Sequence, residues 1–374
     1  MPAITVMIKP ASGLCNMRCR YCFYTDETQN RTVASYGLMS PETLEAVLRR
    51  VLAFATGSCT IAFQGGEPTL AGLDFFRRVI ELEQQWNINR CTIHNAMQTN
   101  GYNLDEEWAR FLAENHFLVG LSLDGPQPLH DENRLDAAGK GTFNRVMRTV
   151  QLFRKHGVDF NILTVVTAAT CRSVRKIWHF FERNQLEYQQ YIPCLDPLGE
   201  ARGGHPWSLT PERYARFLKD LFDCWYEDVS HGHQRYNRYF DNLLQIMAGQ
   251  VPEACGMLGV CGRQYVVEAD GGVYPCDFYM LDEWRLGNFV TDTFEQIEKK
   301  RQELGFIAMS APQHPDCQIC QWKALCRGGC RRDREPFADG AFAINYFCPA
   351  YAEFFTYAWP RLQQVLQIIR RGNL

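Results

Sequence analysis

Through the first half of the chain, short apolar runs alternate with longer stretches in which apolar residues recur at helical spacing. Ile4 to Ile8, Cys59 to Phe63, Thr92 to Met97, Phe117 to Leu123, Phe160 to Val166 and Tyr188 to Ile192 read as strands. Pro41 to Ala55, Leu73 to Gln85, Asp105 to Glu114, Thr142 to His156 and Ser173 to Arg183 read as helices between them. Ser40 is an N-cap followed by proline at the first helical position, which marks that helix start sharply. Strands joined through helices run parallel, and six such repeats, against the eight of a closed barrel, predict an incomplete barrel. The C-terminal ends of its strands face one side, where barrel sites assemble. Polar residues gather there: Gln64 with Gly65-Gly66-Glu67-Pro68, Gln98-Thr99-Asn100-Gly101, Ser122 with Asp124, and Thr167. Asn100-Gly101 and Asp124-Gly125 also fit ordinary turns.

The repeat stops near Leu195. Asp196 to Pro206 is rich in glycine and proline and reads as a linker, followed by a helix capped by Thr210 and Pro211 and running to about Tyr226. The aromatic stretch Tyr236 to Phe240 fits helix packing better than substrate contact. Val267 to Cys276 predicts a hairpin turning at Asp270-Gly271-Gly272, and Tyr351 to Ile369 an amphipathic helix. The expected divisions are a core at 1–196, a linker and helical bridge at 197–250, a cysteine-rich domain at 251–350 and a C-terminal helix at 351–374.

Charge narrows the function classes. With 39 Lys plus Arg against 42 Asp plus Glu, the formal net charge is -3, which gives no electrostatic case for nucleic acid or an anionic membrane. No apolar run reaches the length of a membrane span, and MPAITVMIKP lacks a signal-peptide pattern. Sixteen cysteines without an export signal point to a reducing cytoplasm, and to metal rather than disulfides.

Eleven of these sixteen cysteines fall into two groups. Cys15, Cys19 and Cys22 form a C-x3-C-x2-C loop just after the first apolar run. Three thiolates can hold three irons of a 4Fe-4S cube and leave the fourth open to a substrate. The second group is Cys255, Cys261 and Cys276, then Cys317, Cys320, Cys326 and Cys330, and finally Cys348. Spacing alone fits a zinc ribbon at Cys317, Cys320, Cys326 and Cys330 as well as it fits iron. Cys59, Cys91, Cys171, Cys194 and Cys224 stand singly and read as core thiols.

The first loop, followed by the Gly65-Gly66-Glu67-Pro68 element, resembles the radical S-adenosylmethionine (SAM) superfamily. The later pattern resembles the SPASM auxiliary-cluster module. Segments at Ile8 to Tyr24, Phe63 to Gly72, Met97 to Gly101, Val119 to Pro126 and Tyr274 to Tyr279 resemble, more narrowly, the anaerobic sulfatase-maturating enzymes. The resemblance implies a partial (β/α)6 barrel of the radical SAM type with a C-terminal SPASM-like domain holding two auxiliary iron-sulfur clusters, three 4Fe-4S clusters in all. It implies SAM contacts at Tyr21, Gly65, Gly66, Glu67, Ser122, Arg134 and Leu195, and Asp277, beside ligand Cys276, as the base. The implied reaction is oxidation of a sulfatase cysteine or serine to Cα-formylglycine through a 5'-deoxyadenosyl radical. A sulfatase peptide as substrate and an electron donor such as flavodoxin or ferredoxin are the implied partners. Thioether crosslinking of a ribosomal peptide is the alternative chemistry, and a non-catalytic iron-sulfur or zinc scaffold is the alternative of a different class.

Overall fold

The computed structural model describes residues 3–233, 235–335, 337–338 and 341–370; the last four residues of the expected C-terminal segment lie outside the described ones. In chain order, the elements that position the site begin with β1 (Ile4–Ile8), α1 (Phe23–Gln29), α2 (Pro41–Phe54), β2 (Ser58–Phe63), α3 (Leu73–Trp86), β3 (Thr92–Thr99), α4 (Glu106–Glu114) and β4 (Leu118–Ser122). They continue with α5 (Gln127–Asn133), α6 (Phe143–His156), β5 (Phe160–Val166), α7 (Val174–Arg183), β6 (Tyr188–Pro193), α8 (Pro211–Ser230), β7 (Tyr236–Asn237) and α9 (Arg238–Met247). Then come β8 (Tyr265–Val267), β9 (Gly272–Tyr274), β10 (Gly287–Asn288), α10 (Phe294–Leu304) and a C-terminal helix, Cys348–Arg370. All six expected strands and five expected helices are present. Asp105, Thr142 and Ser173 turn out to be N-cap residues rather than first helical ones.

The chain divides into two compact units that do not follow its linear order. Met1–Leu123, His130–Asn161 and Arg263–Phe306 form the first; Asp124–Leu129, Ile162–Gly262 and Ile307–Leu374 form the second. In the first, β1, β2, β3 and β4 pair in parallel. Alternation dictates the inner face: Ile4, Val6 and Ile8 of β1 and Cys59, Ile61 and Phe63 of β2 are buried. Helix α2 buries Leu44, Val47, Leu48, Val51 and Leu52, a stripe at helical spacing, each side chain contributing about 2 kcal/mol of gross burial energy. Its Ser40 cap accepts a hydrogen bond from the Thr43 amide at 3.1 Å.

The expected hairpin forms, with Val266 opposite Tyr274, and Gly271 takes a φ of +85° at its turn. Its first strand has a second partner: β8 lies parallel to β1 through Val6↔Tyr265, Met7↔Val266 and Ile8↔Val267. The unit's strand order is therefore β10-β9-β8-β1-β2-β3-β4, and β1 has no free edge. Just past the pairing, Arg31 and Glu268 form a buried ion pair at 2.7 Å.

In the second unit β5, β6 and β7 pair in parallel beside α7, α8 and α9. Helix α8 runs to Ser230, about one turn past the expected end. The stretch from Tyr236 splits into β7 and the start of α9, where Phe240 packs between Phe222 and Phe354 as core. Cys171, Cys194 and Cys224 are buried here, and Cys59 and Cys91 in the first unit. No helix among the described residues is long and apolar enough to cross a membrane.

Candidate active site and cluster ligands

Just after β1 the chain turns through Ser12, whose φ is +52°, into the half-buried Cys15, Cys19 and Cys22, and α1 starts directly at Phe23. The Cys15 sulfur accepts from the Met17 amide at 3.4 Å and from the Asn100 side-chain amide at 3.6 Å. Hydrogen bonds of this kind tune iron-sulfur ligands. Burial pushes the Cys15 thiol up to about 11, and the nearby charges of Glu67 and Cys22 add to it, so this sulfur ionises when a metal takes it. Asn100, which also fits a turn by sequence, is thus a neighbour of the first cysteine.

Gly65 and Gly66 sit where no side chain fits. A Cβ on Gly66 would lie 2.1 Å from the Leu14 carbonyl oxygen, and one on Gly65 would lie 2.1 Å from Cε of Lys9; their φ values are +47° and +82°. The backbone here touches the cysteine loop, and the Glu67 amide donates to the same Leu14 carbonyl at 2.8 Å. Gly66→Ala is expected to cost about 1–3 kcal/mol from backbone strain alone, before the steric conflict with Leu14. Thermal unfolding and iron content will show a lower midpoint and loss of iron from the N-terminal site.

Glu67 itself is 1% exposed. Its carboxylate accepts from the Thr69 amide and hydroxyl, the Thr99 hydroxyl and the Asn100 amide, which together occupy its acceptor sites. The side chain therefore braces the ends of β2 and β3. Ser122 ends β4 and accepts from Gln98 at 3.2 Å. Arg134 is brought to the cysteine loop because residues 133–136 run against it: the Arg18 and Arg20 amides donate to the Leu135 and Asn133 carbonyls. Its guanidinium lies 5.4 Å from the Tyr21 ring centroid. Leu195 follows β6 in the second unit and is half-buried.

Asp277 opens a short helical turn after β9 and is 7% exposed. Its Oδ2 accepts from the Tyr24 hydroxyl at 2.7 Å and from Gln64 Nε2 at 3.2 Å; the same Gln64 nitrogen lies 2.7 Å from the Tyr24 oxygen. Its Oδ1 has no hydrogen-bond partner and faces Lys9 Nζ at 3.5 Å. Burial, with the Asp277 charge, holds the Tyr24 hydroxyl well above its ordinary pKa, so it remains a donor. Oδ1 is therefore the open acceptor. Sequence reasoning placed Gln64 among the polar strand ends but missed Lys9, Tyr24 and Glu27. Their signals were a lysine closing an apolar run and a Tyr-x-x-Glu pair at i, i+3 right after the third cysteine.

The second unit separates its cysteines into two sets. Cys317, Cys320, Cys326 and Cys348 line one cavity of about 850 Å³ with Trp322 and Lys323, and the Cys320 sulfur accepts from the Trp322 amide at 3.4 Å. The Cys326 thiol is pushed up by burial and by the charges of Cys348, Cys317 and Cys320. Cys330 is raised by burial and by Asp333, Cys255 and Cys261, and a Cβ on Gly256 would sit 3.5 Å from its own Cβ. Cys348, rather than Cys330, thus completes the first set, which is not the ribbon that linear spacing offers. The cavity is of cofactor size and four thiols line it, so the donor set fits a cube. Among the described residues no three His, Cys, Asp or Glu side chains converge as a single metal ion requires; a cube's ligands bind separate irons and need not converge.

Two family models match the chain. The radical SAM superfamily model matches residues 10–170, and an iron-sulfur cluster-binding domain model, SPASM, matches residues 255–321. Fold and site together define a radical SAM oxidoreductase with an auxiliary-cluster domain, a partial (β/α)6 barrel that uses 4Fe-4S clusters and S-adenosylmethionine. A cysteine-type anaerobic sulfatase-maturating enzyme of Clostridium perfringens is 49% identical over 370 residues, 99% of this chain and 100% of that protein. A serine-type enzyme of Bacteroides thetaiotaomicron is 32% identical, over 95% of this chain and 89% of its own. A solved structure described as native anSMEcpe with bound AdoMet and Cp18Cys peptide superposes with a TM-score of 0.94, covering 98% of this chain and 100% of that one, at 49% identity. The chain belongs to the anaerobic sulfatase-maturating enzymes.

Proposed function

We propose that this enzyme oxidises the active-site cysteine of a sulfatase, or a serine in its place, to Cα-formylglycine, working on a peptide segment in the reducing cytoplasm. The observation that carries the reading is Asp277, buried on this scaffold with one carboxylate oxygen fully held and the other open. Higher identity to the cysteine-type relative than to the serine-type one favours cysteine. Cys15, Cys19 and Cys22 would hold the cluster that, with bound S-adenosylmethionine, would supply the radical able to remove a hydrogen atom from the substrate β-carbon. Oδ1 of Asp277 accepts the thiol or hydroxyl proton, while Tyr24 and Gln64 fix the carboxylate through Oδ2. Cys255, Cys261, Cys276, Cys317, Cys320, Cys326, Cys330 and Cys348 would hold the auxiliary clusters, which would serve as acceptor for the substrate's remaining electron. Hydrolysis of the resulting thioaldehyde gives formylglycine. Gly65, Gly66, Tyr21, Ser122, Arg134 and Leu195 are the proposed SAM contacts, with Glu67 bracing the strand ends beside Gly65 and Gly66. A flavodoxin- or ferredoxin-type protein supplies the initiating electron.

The test is an anaerobic incubation with a peptide carrying Cys-x-Pro-x-Arg, read by mass spectrometry. The expected product is lighter by about 18 Da and is trapped by an aldehyde reagent, the outcome of a positioned radical and base acting at one carbon. A product about 2 Da lighter with no reactive aldehyde would replace this reading with thioether crosslinking.

A further inference from the structure

Lys9 directly follows β1 and is 3% exposed. Its ammonium lies 3.5 Å from Oδ1 of Asp277, 3.7 Å from Oε2 of Glu27 and 4.3 Å from the Tyr24 ring centroid. Its stem fills the space that a side chain at Gly65 would need. A buried ammonium is costly unless paired, and one carboxylate would be enough to pair it. Here there are two carboxyl groups. Glu27 is also 3% exposed, and its Oε1 has no hydrogen-bond partner. Burial pushes its carboxyl up to about 8 even though Lys9 pulls it down, and the Asp277 charge adds to the rise.

Glu27 is a second anchor for the ammonium, at 3.7 Å, and limits its movement off Oδ1 of Asp277. Tyr24 and Gln64 occupy Oδ2, so Lys9 is the one group among the described contacts that acts on the open oxygen.

We propose that Lys9 is a positioning residue for proton removal: anchored by Glu27, its ammonium fixes the direction of Oδ1 of Asp277, the carboxylate oxygen without a hydrogen bond. This rests on Asp277 being the base. In the step the substrate S–H or O–H bond breaks and an Oδ1–H bond forms. Lys9 remains an ammonium, and the electron leaves as described above.

The test compares wild type, Lys9→Met, Glu27→Gln and the double variant K9M/E27Q. Readouts are iron content, direct peptide affinity, 5'-deoxyadenosine formation, and formylglycine formed per deoxyadenosine. The double variant removes the ammonium and the ionisable carboxyl together, so it keeps the experiment decisive where Lys9→Met alone fails to fold beside Glu27. Expected for the double variant are iron, peptide affinity and deoxyadenosine within about twofold of wild type, with formylglycine per deoxyadenosine down by about tenfold or more. Wild-type coupling in the double variant would show that Lys9 only balances Glu27 and would overturn the proposal. So would a loss confined to peptide affinity. Wild type that forms deoxyadenosine but no formylglycine would overturn the Asp277 reading itself, a result distinguishable from either.

Discussion

Replacing Cys15, Cys19 and Cys22 together by alanine abolishes reductive cleavage of SAM and leaves about eight of about twelve irons per chain, because the auxiliary cysteines retain two cubes of four irons each. The loss is complete rather than graded, since all three thiols of the loop go together and the single thiols Cys59 and Cys91 of the first unit are buried core residues. Neighbouring structure should survive. Glu67 keeps its four hydrogen bonds and Asn100 keeps its bond to the Asn16 side chain at 2.8 Å, none of which needs a cysteine. Iron analysis and anaerobic deoxyadenosine measurement check both halves of this expectation. Twelve irons in the variant, or zinc in place of iron in the wild type, would contradict the ligand assignment.

Asp277→Asn separates radical formation from product formation. Deoxyadenosine continues to appear while formylglycine falls by about 100-fold or more, the scale for losing a positioned general base. The site explains why the amide is a poor replacement. Tyr24 and Gln64 both donate toward Oδ2, so the amide oxygen must take that side and its NH2 group is turned toward the Lys9 ammonium, donor against donor. Iron content is the control for damage to the adjacent Cys276. Near-normal formylglycine per deoxyadenosine would assign the proton to another acceptor.

Strand and helix positions were legible because burial in this barrel follows simple periods, two in β1 and β2 and about 3.6 in α2. The grouping of Cys15, Cys19 and Cys22 was legible because spacing within a loop is local. Partners that depend on distant chain segments were not. Tyr24 and Asp277 are 253 residues apart in sequence, and α1, at seven residues, is too short for periodicity to show which side Tyr24 and Glu27 take. Lys9 looked like the polar end of a strand. The grouping of Cys348 with Cys317, Cys320 and Cys326 was likewise out of reach, because linear spacing favours the nearer Cys330 and only the cavity shows which thiols share a space.

The pairing of β8 with β1 carries a consequence for how the chain matures. Strand β1 leaves the ribosome well before the neighbour that covers its outer edge, which follows more than half a chain later, at Tyr265 to Val267. Until then the nascent protein shows an open backbone edge, and Arg31 lacks the carboxylate it meets in the finished fold. Asp277, the proposed base, lies ten positions beyond Val267, on the same late segment. Closing the sheet and placing that carboxylate therefore both wait for this segment, and a chain stopped before it holds the cysteine loop without Asp277.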